Sequence, residues 1–489
     1  MSSTVSSVGV LNIPSRMERL PVTRFTWKVV LLAGLAWFIE SLSIGSLGVA
    51  LGPLKQVMHL GVAEIGVLTA ASTFGIVLGL IPAGFLSDRF GRKQLLVWGI
   101  VEYSVLTLLC ALAPNFSSLL VFRFLSGLGM GAVFPLPYAI VSEFVRSRQR
   151  TLFNGVMDAF LSIGYFIAPL LGLWILPSFP VAVAWRIFFA VSALPIAFAG
   201  IIKLALPESP RWLERNGRHI EAERVMAAIE AEVSRWSNGS FLQHNMMPMA
   251  QLQPQKSDQL HENAREESDS TKLQPSRTSV TLPWQAPYRR MTISRSVAAI
   301  GTFFMFYIVM TYMPTIFSSK GFSFAHSLLF TAVITAAAIP GKLVNGYLAE
   351  HFGRKAMYVV FMGLAGIAAL FFGLANTPFA MVAFACVMSL FGTGAFPALK
   401  MSYAEQYPTR MRTTGAATVE TIGRFFGGVV GSYAIPVLLK SYGLSAGFYV
   451  VSFVAISAVL VELAFASETK DATLEQLEQQ TNDLVEARA

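Results

Sequence analysis

The sequence is short of charge. Only 13% of its 489 residues are Asp, Glu, Lys or Arg, where a soluble domain carries roughly 25%. It is also short of cysteine and histidine, with two and six. Cys110 and Cys386 each sit inside an apolar run, so neither a disulfide framework nor a Cys-based metal site follows. The histidines form no HExxH or similar cluster, no Walker loop is present, and no GxSxG elbow follows a strand. These absences argue against an enzyme, a metal or another cofactor, and against ATP as the energy source. A cleavable signal pattern is missing too: Arg16, Arg19, Arg24 and Lys28 precede a run too long for a signal core.

What the chain has is apolar length. It is 54% hydrophobic, with a mean hydropathy of +0.57, which points to a polytopic membrane protein. Twelve runs reach spanning length, near 27–51, 64–86, 94–113, 118–141, 151–176, 185–206, 291–317, 326–349, 356–375, 379–403, 413–439 and 445–466. Helix is the expected conformation, because lipid offers the backbone no hydrogen-bond partner. The formal charge of +9 could suggest nucleic acid, but the basic residues lie in short clusters between apolar runs. Arg89, Arg92 and Lys93, then Arg146, Arg148 and Arg150, the segment 207–290, Arg354 and Lys355, and Arg410 and Arg412 occupy alternate loops. The intervening loops hold only Lys55, Lys320 and Lys440. Positive-inside asymmetry then puts both termini and the long central loop in the cytoplasm of a plasma-membrane protein.

The chain repeats itself. GFLSDRFGRK starts at Gly84 and GYLAEHFGRK at Gly346, 262 positions on (346 against 84). The same offset pairs Asp88 with Glu350, Glu143 with Glu405, Arg150 with Arg412, and Asp158 with Glu420. Two parallel six-helix halves are expected around a midplane site. The organisation that follows is a tail at 1–26, bundles at 27–206 and 291–466, a central loop at 207–290, and a tail at 467–489. Within the loop, 210–236 is amphipathic and helical in pattern, while 237–285 is rich in Ser, Gln, Asn and Pro and is expected to be disordered. The tail from Glu468 is expected to form at most a short polar helix.

These residues resemble the major facilitator superfamily. GFLSDRFGRK matches its signature between helices 2 and 3. Glu143 with Arg150, PESPR at 207–211, Glu405 with Arg412 and SETK at 467–470 resemble its sugar-porter branch, and AEQYPTRMRTTG at 404–415 is closer to its organic-acid carriers, including nicotinate and aromatic-acid carriers. The resemblance implies an all-α fold of twelve transmembrane helices that works by alternating access, as a monomer. Asp88, Arg92, Glu143, Arg150, Glu350, Arg354, Glu405 and Arg412 would then be gating charges. Arg92 and Arg354 can pair with Glu143 and Glu405 in one state and release them in the other. Asp88 can accept from a neighbouring helix N-terminus. The bland alternative is a set of solvated loop charges worth about 0–1 kcal/mol each.

Ionisable residues inside the spans are costly and default to cavity-facing roles. Glu40 lies midway along the first run and Arg123 in the fourth. Sugar porters couple protons through an acid and an Arg at the matching positions, so the resemblance implies a Glu40–Arg123 pair broken by protonation. The alternative is a fixed structural ion pair. Asp158 and Tyr165 stand where sugar porters carry Gln, Tyr307 where they carry Asn, and Lys400 where they carry Trp. Amides for a polyhydroxyl substrate are thereby lost. What is left is charge and rings: Trp37, Phe38, Tyr165, Phe303, Tyr307 and Tyr312 beside Asp158, Lys400, Glu420 and Arg424. Glu420 and Arg424, four apart, can neutralise each other and leave Lys400 as the free cation. Asp158 would receive a ring N–H or pair with Lys400. The bland alternatives are snorkelling or intrahelical pairing for the cations and plain packing for the rings. Glu102 is expected to be structural, Lys342 to snorkel, and Arg186, Lys203 and Glu462 to need no functional explanation.

The favoured reading is a proton-coupled carrier of a small aromatic or heteroaromatic carboxylate such as nicotinate, whose partners are substrate, protons and lipid. Three others stay open: a sugar or polyol symporter, an organic-cation or drug exporter drawing on Asp158 and Glu420, and a receptor built on the same fold.

Overall fold

The computed structural model describes residues 13–145, 150–236, 282–285, 288–407 and 412–468. A short helix α1 (Ile13–Arg19) precedes six apolar helices: α2 (Arg24–Val57), α3 (Val62–Phe90), α4 (Arg92–Ala111), α5 (Phe116–Phe144), α6 (Arg150–Ile175) and α7 (Val181–Ala205). Two polar-surface helices follow, α8 (Pro210–Arg215) and α9 (His219–Trp236). The second half holds α10 (Arg289–Ser319), α11 (Phe324–Phe352), α12 (Arg354–Leu374), α13 (Pro378–Tyr403) and α14 (Thr414–Phe465). Backbone at Gly443 leaves the helical region (φ +82°) and divides α14 into two spans, which brings the total to twelve.

Length and apolarity make these helices, and small residues let them approach. On α3, a Cβ at Gly75 or Gly79 would collide with backbone of α5 at Phe124, Gly127 and Leu128. Side-chain-free contact of this kind is how helices associate where lipid removes the hydrophobic drive. Three π-helical turns interrupt the second half, at Ile308–Tyr312, Met388–Gly392 and Gly423–Val430. Such turns concentrate at functional sites.

The GRK turns of the two repeats share one device. Gly91 (φ +99°) and Gly353 (φ +103°) sit between helices in a conformation that side chains resist. Each lets a distant carboxylate cap the next helix. Glu208 of PESPR accepts backbone N–H bonds from Arg92 (3.1 Å) and Lys93 (3.3 Å). Glu468 of SETK accepts from Arg354 (2.8 Å) and Lys355 (3.1 Å). Asp88 therefore does not cap the neighbouring helix. Its carboxylate pairs with Arg92 (2.7 Å) and Arg215 (3.5 Å), because Glu208 already holds the N-terminus. Burial raises the Glu208 pKa, and bonds from Ser209, Lys93 and Arg92 pull it the other way.

On the same surface α1 lies against α9. Ile13 and Met17 are buried with Met226, Ile229 and Val233, and Arg16 bonds both Glu230 (2.8 Å) and Glu223 (2.7 Å). The end of the stretch expected to be disordered is a turn instead: Leu282–Trp284 is held by Thr292, whose hydroxyl donates to the Pro283 carbonyl (2.7 Å). The rest of that stretch and the tail beyond Glu468 lie outside the described residues.

Glu462 is a second departure from expectation. It is fully buried and bonded to Arg295, which is also fully buried. Gln406 accepts from Arg295 as well (2.9 Å), as does the Ser467 carbonyl (3.1 Å). The pair pins the two ends of the second bundle, α10 and α14, together.

Candidate functional site

Charges from both halves converge between α2, α5, α6, α10, α13 and α14. Tyr138 of α5 donates to Asp158 Oδ2 of α6 (2.7 Å). Lys400 of α13 crosses from the other half and donates to Tyr138 Oη (3.0 Å) and Asp158 Oδ1 (3.5 Å). Lys400 is therefore not a free cation. Its ammonium also lies among the rings of Tyr138 (4.6 Å), Trp37 (4.9 Å), Phe396 (5.4 Å) and Phe134 (5.5 Å), an arrangement that favours positive charge. Trp37 is set by its indole N–H, which donates to the Phe134 carbonyl (3.1 Å).

Arg424 sits in the π-helical turn of α14. It donates to Glu420 Oε1 (3.0 Å), while Tyr403 donates to Glu420 Oε2. The guanidinium covers the ring of Phe134 at 3.6 Å and approaches Phe303 at 4.7 Å. Lys400 and Arg424 thus face one narrow, nearly closed pocket. Tyr165 and Tyr307 line it too, with Phe134, Phe303, Phe306 and Phe396. No amide side chain lines it among the described residues. Tyr312 stands apart, donating to the Ser432 carbonyl.

Glu40 is fully buried, and among the described residues neither carboxylate oxygen has a hydrogen-bond partner. The expected ion pair with Arg123 is not formed. Arg123 reaches the carbonyl of Ser43 (3.4 Å), one helical turn further along α2, and packs near the Phe189 ring (5.4 Å) and the Cys110 thiol. Three residues of rise, about 4.5 Å, separate the two levels. The positive charges acting on Glu40 are instead Arg424 and Lys400.

At the basic end, Arg92 Nε pairs with Glu143 (3.0 Å) and Arg354 with Glu405 (3.1 Å), each within its own half rather than between halves. Glu350 does not repeat the Asp88–Arg92 contact: no ion pair within 4.0 Å involves it among the described residues. The side chains of Arg150 and Arg412 lie outside the described residues. Lys342 does not snorkel. It is fully buried and donates to the main-chain carbonyl of Asp158 (3.1 Å). Glu102 rests on Gly129 of α5, with Oε2 unpartnered among the described residues.

Sequence reasoning missed Tyr138, Phe134, Phe396 and Tyr403. The repeat held a signal for three of them. An offset of 262 carries Lys400 back to Tyr138 and Phe396 back to Phe134. Equivalent positions on α5 and α13 thus meet across the pseudo-twofold axis.

Helical halves joined by polar contacts around a buried charged pocket define a membrane transporter. The chain belongs to the sugar (and other) transporter family, whose profile matches residues 23–480, within the major facilitator superfamily. Among its relatives, the niacin transporter NiaP of Acinetobacter baylyi is 28% identical over 96% of this chain and 100% of its own. The 4-hydroxybenzoate transporter PcaK of the same organism is 25% identical over 88% of each chain, and a gallate transporter of Pseudomonas putida is 24% identical over 93% and 95%. The fold matches that of the proton:xylose symporter XylE bound to 6-bromo-6-deoxy-D-glucose, with a TM-score of 0.72 at 18% identity, covering 94% of this chain and 99% of that one.

Proposed function

We propose that the protein carries a small aromatic or heteroaromatic carboxylate across the plasma membrane by proton-coupled alternating access. The observation that carries this reading is the pocket itself: two buried cations, Lys400 and Arg424, face a space walled by rings, with no amide lining it among the described residues. A carboxylate suits the cations, and a flat ring suits the walls. A hexose would leave its hydroxyls unpaired there. The names of the niacin, 4-hydroxybenzoate and gallate transporters point the same way.

In this reading Tyr165 and Tyr307 border the ring of the substrate. Asp158 and Glu420 act as stand-in anions for Lys400 and Arg424 and yield to the incoming carboxylate. Glu40 is the proton site. A carboxylate bound at Lys400 and Arg424 offsets the positive field those two residues exert on Glu40, so substrate and proton bind together. Arg123 acts at one remove, by holding α2 at Ser43. The basic end faces the cytoplasm, and the Arg92–Glu143 and Arg354–Glu405 pairs bias the rocking of each half.

The test is uptake by proteoliposomes containing a pH dye. Nicotinate, benzoate, 4-hydroxybenzoate, a hexose and a quaternary amine are added in turn, with Glu40→Gln alongside. Luminal acidification with carboxylates only, lost in Glu40→Gln, is the expected result. A hexose response would overturn the substrate class. Acidification that survives Glu40→Gln would move the proton site elsewhere.

A further inference from the structure

We propose that Lys342 and Asn345 form a second carboxylate site, on the basic side of the pocket, where an anionic substrate lands between pocket and cytoplasm. The inference rests on the carboxylate reading above.

Both residues are fully buried on α11, three positions apart and so on one face. Lys342 has three donor hydrogens and the Asp158 main-chain carbonyl as its partner. The Asp158 carboxylate is committed elsewhere, to Tyr138 and Lys400. Among the described residues no carboxylate oxygen lies within 4.0 Å of the Lys342 ammonium. Asn345 accepts the backbone N–H of Ala398 through Oδ1 (2.9 Å), which sets its amide orientation. Its Nδ2 is then a buried donor with no partner among the described residues.

The cluster therefore has more donors than acceptors. Burying an ammonium without a counter-ion, or an amide N–H without a partner, is costly. An oxyanion satisfies both at once, and a mobile one explains why no fixed carboxylate is built in. The Phe396 ring links the two sites, 5.4 Å from Lys400 Nζ and 5.9 Å from Lys342 Nζ. An aromatic substrate can keep its ring against Phe396 while its carboxylate passes from one lysine to the other. Next to Asn345, Gly346 comes close to Gly155 of α6, a Cβ there lying 3.8 Å from the Gly155 Cα. The helices close the basic side at that point until the halves part. The repeat equivalents in the first half, 262 positions earlier, are Leu80 and Ala83, which offer no donor.

The test compares both faces of the membrane. Benzoate and nicotinate uptake is measured in right-side-out and inside-out vesicles for wild type, Lys342→Met, Lys342→Arg and Asn345→Leu. Lys342→Met is expected to raise KM at the cytoplasmic face at least tenfold and to leave the external KM within twofold. Lys342→Arg should recover most of the loss. Asn345→Leu should give a smaller shift of the same sidedness, and it carries the test if Lys342→Met fails to fold. Equal shifts at both faces, or none, overturn the proposal while the carboxylate reading stands. Wild-type vesicles that move no carboxylate overturn both.

Discussion

The two halves of the molecule share a backbone plan and differ in what they hold at its centre. Their GRK turns are alike: Gly91 and Gly353 both have positive φ, and Glu208 and Glu468 both cap the following helix. Their cores are not alike. The first half brings the acids Glu40 and Asp158 with one cation, Arg123, and the second half adds the acid Glu420. The second half brings cations, Lys342, Lys400 and Arg424, with π-helical turns at three places. Duplication has kept the turns and their caps and has let the charges at the centre diverge. The divergence gives each half its own task in the proposed cycle, protons on one side and anions on the other.

The Arg295–Glu462 pair is the sharpest difference outside the pocket. Its repeat equivalents are Ala33 and Gly200. Glu462→Gln leaves a buried guanidinium without its counter-charge and should cost about 3–5 kcal/mol, read as a fall in thermal midpoint. The double variant Arg295→Met with Glu462→Leu should recover most of it. If the single variant costs nothing, the second half does not depend on the pin.

Lys400→Met tests the division of labour itself. Losing one charged hydrogen bond of about 1.5–3 kcal/mol should raise the carboxylate KM roughly ten- to a hundredfold, whereas Tyr138→Phe at the equivalent position should do less. Equal effects would erase the assignment of anion binding to the second half. The similarity of the two turns gives the smallest effect. Gly91→Ala and Gly353→Ala should each cost roughly 1–2 kcal/mol and by matching amounts, measured by thermal unfolding. A large inequality would mean that the two caps are not the same device.

Much of this was legible from residue order. The spans, the loop charges and the 262-residue offset are local or periodic, so residue order alone carries them. The offset also held the Tyr138–Lys400 meeting, because a pseudo-twofold axis brings equivalent positions together. Other features had no such trace. Glu462 reads as a span-end residue, and only its packing against Arg295 shows it to be the buried member of a pair. Arg123 reads as the partner of Glu40, because the matching positions are known but the relative height of two helices is not. Which oxygen of Asp158 accepts from each lysine likewise has no signature along the chain.

The sequence by itself determined that this is a twelve-helix, duplicated membrane protein with acids and bases in its interior. Helix formation in lipid follows from apolar length, and duplication is written in the spacing of like residues. The tertiary structure alone decided which charges meet. Lys400 lies 242 positions from Asp158 and Lys342 lies 184 from it, yet a few ångströms of helix height and rotation set all of their partners. Those few ångströms come from close packing of glycines and rings across the two bundles, which no single stretch of sequence contains.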